Sequence, residues 1–357
     1  MRTMESLNPS FTFLGEFMKA ARVHEPGRIE IEDVPIPSLG ENDVLIKVHH
    51  AGICGTDVGV YHGYVQAKLP VTLGHEFSGT IAKVGIPALG GFQEGDPVTA
   101  VGGWSCGRCE HCQNGHPQYC KSRNALGRTV DGCMAEFVKM DYRVVYPLPP
   151  HVSLDEGQNF LNIACVVRGY KKVPLQLGKR AVIFGAGNMG VSMLQLLRAA
   201  GAAQVIVTDA IPFRLELAKK FGAGHAINVT EGDPVRKIRD LLPAGADGVV
   251  EATGNPSAFQ NACDVLKEGG ALVVIGMFSK KVKEVDLSFL YYKEPIIYGS
   301  KGGEEGYEEA LQLLEDKKLQ ITPMITHRFP LEETAKGFGV FEDKNANALR
   351  ILIEPSS

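Results

Sequence analysis

Residues 181–190, Ala-Val-Ile-Phe-Gly-Ala-Gly-Asn-Met-Gly, decide the fold of the second half of this chain. Four apolar residues read as a buried strand, the glycines as a tight turn, and 191–200 as the amphipathic helix that follows. Gly185 allows the turn, Gly187 lets the backbone approach a pyrophosphate, and Gly190 permits close packing of helix on strand. The helix start at Asn188 and Met189 then faces phosphates with unpaired N–H groups and a partial positive charge. Asp209 ends the next apolar run, suited to accept from ribose hydroxyls and to repel a 2′-phosphate, so NAD is expected over NADP. Arg214 leaves some tolerance for NADP if its guanidinium swings toward that position. A cofactor-free turn in an ordinary parallel sheet is the alternative, weakened by the matched strand, turn, helix and acid.

The same texture continues outward. A helix over 213–221 and strands at 248–251, 271–275 and 295–298 complete a parallel sheet with helices on both faces. A helix over 304–315 and a strand at 348–353 follow, the tail returning to the first domain. Upstream, from Met18 to Tyr146, short β-branched runs broken by Gly and Pro read as an irregular β domain. With 357 residues, two cores are expected: 18–158 with 297–357, and 159–296 for the dinucleotide domain. Residues 1–17 read as an extension without the apolar core of a secretory signal. No stretch approaches the ~20 apolar residues of a membrane span. A balance of 37 basic and 41 acidic residues offers no broad attraction for nucleic acid or anionic membrane, which points to small-molecule chemistry.

Eight cysteines stand at 54, 106, 109, 112, 120, 133, 165 and 263, four of them in one short loop. Without a secretory signal, such crowding favours metal over disulfides and a reducing cytoplasm as the compartment. Cys106-x-x-Cys109-x-x-Cys112 with Cys120 offers four thiolates, enough for a closed and therefore structural tetrahedral zinc site. A redox pair or an iron–sulfur cluster is the alternative, less suited to so compact a spacing. His111 and His116 in the same loop read as solvated. Upstream, Gly52-Ile-Cys-Gly-Thr-Asp57 and Gly74-His-Glu76 place a thiolate, an imidazole and a carboxylate beside glycines, all zinc-ligand types. Singly, Cys54 reads as a buried small residue and His75 as a satisfied histidine; the cysteine loop and the dinucleotide turn reverse that weighting.

GICGTD at 52–57, GHE at 74–76, the four-cysteine loop at 106–120, DGCMAEF at 131–137 and GAGNMG at 185–190 resemble, in order, the motifs of the zinc-dependent medium-chain dehydrogenases. That family includes alcohol, sorbitol and threonine dehydrogenases, and the resemblance covers nearly the whole chain from Met18. It implies an α/β protein with a GroES-like catalytic domain and an inserted Rossmann domain. It also implies a second, catalytic zinc, a small alcohol or ketone substrate and commonly a dimer or tetramer. Residue by residue, Cys54 and His75 match catalytic-zinc ligands, and Glu76 matches the adjacent glutamate. Asp57 would orient His75 through its other ring nitrogen, and Thr56 would bond the substrate hydroxyl and pass its proton outward. The activity implied is reversible oxidation of a secondary alcohol, polyol or amino alcohol.

Two positions depart from the family. Its members usually take a further ligand, Cys or Glu, from the helix near 160–166, where a gapless comparison puts Leu161, which cannot bind zinc. Cys165, a turn later, and Asn162 could serve only after local slippage. Gly59 stands where alcohol dehydrogenases often place a relay histidine, with Tyr61 or His62 as substitutes that read equally well as surface residues. A reductase without catalytic zinc and a non-catalytic dinucleotide binder are therefore the alternatives. Retention of Cys54, Thr56, Asp57 and His75 as a set argues against the binder.

Overall fold

The computed structural model describes residues 15–87, 89–173, 177–279, 281 and 284–356. Most of the expected extension at 1–17 lies outside the described residues, and the strand Phe17–Glu25 begins at its end.

The apolar run before the glycine turn forms the strand Arg180–Phe184 inside a six-stranded sheet. Ala181 and Ile183 enter one core and Val182 and Phe184 another, so a strand covered on both faces has no place for a polar side chain after Arg180. In space the order is His225–Asn228, Gln204–Asp209, Arg180–Phe184, Ala246–Glu251, Leu266–Val274, Ile296–Gly299, all neighbours parallel. The order reverses between Arg180–Phe184 and Ala246–Glu251, and such a switch point opens a crevice at the carboxyl ends of the strands. Full burial of a side chain such as Ile183 stabilises by about 1.5–3 kcal/mol, which makes this sheet a stiff base for the turn.

The expected return to the first domain at residue 297 falls inside the last of these strands. Ala310, Leu314, Leu319, Ile321 and Met324 also join the nucleotide-side core. The reason is that helix Tyr307–Glu315 packs on helix Phe160–Lys172, which in turn packs on helix Asn188–Ala199. The chain crosses back with the strand Ile325–Pro330.

The β domain is built around the long strand Asp43–Gly52, which pairs with Phe77–Val84, Phe137–Asp141 and Arg350–Glu354. Val44, Ile46 and Val48 alternate into a core shared with Ile81, Val98 and Met140. The C-terminal strand Arg350–Glu354 lies between Asp43–Gly52 and Ile325–Pro330, so the tail completes the sheet that the N-terminal half begins. Among the described residues no helix is long and apolar enough to cross a membrane.

Candidate functional site

Cys54 caps the short helix Gly55–Tyr61, directly after the strand Asp43–Gly52. Asp57 reaches back from its first turn: Oδ2 accepts from the Cys54 amide at 3.0 Å, and Oδ1 accepts from the Gly74 amide at 3.2 Å. The same Oδ1 meets His75 Nδ1 at 2.9 Å. A carboxylate this buried is tolerable because both oxygens are bonded. Gly74 has a φ of 95°, and a Cβ there would stand 2.8 Å from Cys133 Sγ, so only glycine makes the bend that delivers His75.

With Nδ1 held by Asp57, His75 offers Nε2 to the cluster, 4.0 Å from Glu76 Oε1. One ligand atom each from Cys54, His75 and Glu76 lies within 4.8 Å of the others. Burial raises the pKa of the Cys54 thiol, and the Glu76 carboxylate raises it further. At His75, burial disfavours the cation, but Asp57 and Cys54 outweigh it and lift the imidazole well above its ordinary value. The S, N and O donors of the cluster suit a zinc ion with one position left open.

Glu76 turns its other oxygen to Arg350, whose guanidinium also binds the side chain and main-chain carbonyl of Gln158. This explains Gly52: a Cβ there would lie 1.9 Å from Arg350 Nη2. Neither Arg350 nor Gln158 was anticipated; the available signal was a charge within the apolar run 348–353.

Leu161 stands beside the cluster, as the gapless comparison placed it. A Cβ on Gly102 would stand 2.8 Å from Leu161 Cδ2 and 3.5 Å from His75 Cδ2. Cys165 is not in the ligand group; burial, with Glu76 and Cys54 nearby, pushes its thiol up. Asn162 is engaged elsewhere, donating to Met189 Sδ at 2.9 Å and accepting from Ser192 at 3.2 Å. At Gly59 a Cβ would stand 2.4 Å from Val65 Cγ2, so a relay histidine does not fit this packing. Tyr61 packs edge-on to Phe338, and His62 bonds Glu342 at 2.7 Å on the surface.

The four cysteines at 106, 109, 112 and 120 form a second group within 4.8 Å. Cys109 and Cys112 sulfurs are 3.4 Å apart, and those of Cys106 and Cys120 are 3.6 Å apart. A tetrahedron with Zn–S bonds of about 2.3 Å sets sulfurs about 3.8 Å apart, so the loop fits one tetrahedral ion. The backbone N–H groups of Arg108 and Cys109 hold the Cys106 thiol down, to about 6. His111 and His116 pack on Tyr119. A third grouping, His24, Glu30 and Glu32, is partly exposed on the first hairpin, and Arg28 already pairs with Glu30.

The three glycines of the nucleotide turn answer to three different constraints. A Cβ on Gly190 would stand 1.8 Å from the Gly185 carbonyl oxygen, one on Gly185 would press Thr253 at 2.8 Å, and around Gly187 there is open space. Gly187 caps helix Asn188–Ala199, leaving room for a phosphate at its N-terminus. Asp209 closes the turn: Oδ2 accepts from the Ala186 amide at 2.7 Å and Oδ1 from the Ile211 amide at 2.9 Å. Asn188 donates to Asn159 at 2.9 Å, Met189 receives Asn162, and Arg214 donates through Nε to the Ala348 carbonyl at 3.0 Å. Glu251, not anticipated, lies fully buried across the switch point, where one oxygen accepts from the Thr253 and Gly254 amides at 2.8 and 3.0 Å. Residues 158 and 159 link the two sites, Gln158 holding Arg350 and Asn159 holding Asn188.

Comparison with known proteins points to one family. Residues 40–150 match the alcohol dehydrogenase GroES-like domain, and residues 189–316 match the zinc-binding dehydrogenase domain. The sorbitol dehydrogenase of Bacillus subtilis (strain 168) is 33% identical over 95% of this chain and 98% of its own length. An L-threonine 3-dehydrogenase of Bacillus licheniformis is 35% identical over 88% of this chain and 92% of its own. The crystal structure of a zinc-binding dehydrogenase from Sinorhizobium meliloti 1021 bound to NADP has a TM-score of 0.90 at 30% identity, covering 96% of this chain and 100% of that one. With both domains matched and relatives at this identity spanning nearly its whole length, this chain belongs to the zinc-dependent medium-chain dehydrogenase family.

Proposed function

We propose that this protein is an NAD-linked, zinc-dependent dehydrogenase that reversibly oxidises a secondary alcohol, polyol or amino alcohol. The observation that carries this reading is the partly buried Cys54, His75 and Glu76 cluster, linked through residues 158 and 159 to the nucleotide turn. When bound, zinc supplies the Lewis acidity that lowers the pKa of a substrate hydroxyl, and the nicotinamide accepts the hydride. Three protein donors and one open position are the pattern of a catalytic rather than a structural site, so Leu161 does not by itself forbid it.

The chain's own groups do the rest. Asp57 keeps His75 in the tautomer that frees Nε2, and Arg350 keeps Glu76 from drifting. Thr56, its hydroxyl 3.9 Å from Cys54 Sγ, takes the hydrogen bond from the substrate hydroxyl and hands the proton outward. No side chain at position 59 takes part in that exit. Gly187 and the N-terminus of helix Asn188–Ala199 seat the pyrophosphate, and the Asp209 carboxylate favours NAD over NADP. The four-cysteine loop holds a second, structural zinc. The names of the relatives, sorbitol and threonine dehydrogenases, support polyols and amino alcohols as the classes to try first.

Two further inferences accompany this reading. Eight unpaired cysteines suit a reducing compartment such as the cytoplasm. The sheet ends on the edge strand Ile296–Gly299, where Ile296 and Ile297 are exposed next to Leu290, Tyr291 and Tyr292. An unpaired apolar edge of this kind supports a homo-oligomer, a dimer or tetramer. Light scattering on the purified protein tests it, a monomer at micromolar concentration counting against it.

The deciding measurement for function is zinc content together with NAD reduction across a panel of alcohols. About two ions per chain, one for each cluster, with turnover of at least one alcohol, are expected. About one ion and no turnover would transfer weight to a reductase without catalytic zinc, which Leu161 favours. Tight NADH binding with no turnover of alcohols or carbonyls would favour a non-catalytic binder.

A further inference from the structure

A half-buried ion pair lies outside the cluster of Cys54, His75 and Glu76. Arg123, just beyond the last cysteine of the zinc loop, places Nη1 2.7 Å from Glu304 Oε1 and Nη2 3.3 Å from the Gly103 carbonyl. Glu304 is buried in the segment 300–306, past the last strand of the nucleotide sheet, and its other oxygen has no partner. That segment is clamped to helix Phe160–Lys172. Arg168 donates to the Lys301 carbonyl, and Cβ atoms on Gly303 and Gly306 would stand 2.9 Å from Ala164 Cβ and 2.5 Å from its carbonyl oxygen. At the other end of the link, Gly103 follows Gly102, where a Cβ would stand 2.8 Å from Leu161 Cδ2 and 3.5 Å from His75 Cδ2. One arginine thus joins the end of the cysteine loop, the rim of the nucleotide domain and the backbone beside His75.

Solvent screening at Arg123 and desolvation at Glu304 offset much of the attraction, so the pair is a weak source of stability. What a guanidinium fork supplies is direction, because its planar donors fix two acceptors relative to one another. We propose that Arg123 is a positioning residue for the reaction: through Gly103 it sets the backbone wall beside His75, and through Glu304 it ties that wall to the nucleotide domain. The substrate then meets a cleft of fixed width between the two domains. The kinetic part of this inference rests on the dehydrogenase reading; the position of the wall does not.

Trp104, the single tryptophan of the sequence, follows Gly103 in the strand Gly103–Trp104 and reports on that wall directly. The test compares full-length Glu304→Gln, Arg123→Met and Arg123→Lys with the unaltered protein. Tryptophan emission, zinc content, NADH affinity by titration, and kcat and KM are measured on each. Expected for Glu304→Gln and Arg123→Met is a red shift of Trp104 emission and a KM raised on the order of tenfold with kcat within about threefold. Zinc content and NADH affinity should stay level, and Arg123→Lys should recover part of the emission. Unchanged emission and KM in both variants would overturn the proposal, as would zinc and NADH binding falling in step with emission, which marks a pair that merely holds the fold. If the unaltered protein turns over no alcohol, the dehydrogenase reading fails on its own, and Trp104 emission still decides the link.

Discussion

The four-cysteine loop draws every donor from residues 106–120, and only Cys120 among them is buried. Cys54, His75 and Glu76 come from two separate segments and are held by Asp57 and by Arg350 and Gln158 from two more. The contrast follows from what each site has to do. Four thiolates would saturate a tetrahedral ion, and such an ion would itself organise the loop with little outside support. A cluster that keeps one position open has an unsaturated donor set, and only surrounding hydrogen bonds keep its donors from rearranging. The supported cluster should therefore be sensitive to changes that touch no ligand, and the loop should not.

The largest effect is expected at the heart of the supported cluster. Cys54→Ala should lower turnover at least about a thousandfold and remove about one zinc per chain, while NADH affinity stays within about twofold. Steady-state kinetics, metal analysis and fluorescence titration check the three parts. Substantial residual activity would refute the three-ligand reading.

Next comes a change one shell further out. In Gly52→Ala the new methyl would collide with the Arg350 guanidinium, and that group cannot simply swing away, because Gln158 and Glu76 hold it from two sides. A cost of about 1–3 kcal/mol in stability is expected from overpacking, with turnover down about 10–100-fold as Glu76 loses its anchor. Urea denaturation and kcat give the two numbers. A silent Gly52→Ala would erase the distinction between supported and self-organised clusters.

The loop should behave in the opposite sense. Cys109→Ser should also lose about one zinc per chain and lower Tm by several degrees, yet leave kcat within about tenfold at a temperature where the variant is folded. A kcat loss as deep as that of Cys54→Ala would mean that the loop ion takes part in the chemistry.

How far each region could be read from the sequence follows the same line. The cysteine loop and the glycine turn are local, so spacing and the flanking strand and helix exposed them; a Cβ on Gly185 or Gly190 would collide with its neighbours, while Gly187 is open. No spacing relates Cys54 to His75, so the residues alone offered zinc-ligand types beside glycines, and the family resemblance gave them their roles. Gln158 and the Arg123 to Glu304 pair left no signal, because each acts on a partner far away in sequence, and Arg350 left only its charge within an apolar run. The strand expected at 295–298 is found at Ile296–Gly299, while the domain boundary expected at 297 falls within it, because helix Tyr307–Glu315 joins the nucleotide core through tertiary packing that periodicity does not report.

The smallest effect should fall on the nucleotide turn, which is local like the cysteine loop but takes a ligand like the cluster. Asp209→Gly removes the charge that would repel a 2′-phosphate and also two acceptors that shape the turn, from Ala186 and Ile211. Preference for NAD over NADP, read as the ratio of kcat/KM values, should shift about tenfold toward NADP, or about 1.4 kcal/mol. Asp209→Asn separates the two roles, because the amide keeps one acceptor oxygen and loses the charge. It should shift preference in the same direction with less loss of overall rate. Arg214, attached through Nε to Ala348, keeps its terminal nitrogens available for a 2′-phosphate once Asp209 is gone, so adding Arg214→Ala should cancel much of the gain with NADP. Zinc content should be unchanged in all three variants. A loss of metal alongside the change in preference would show that the nucleotide turn and the supported cluster are not independent, and that the contact of Asn159 with Asn188 transmits between them.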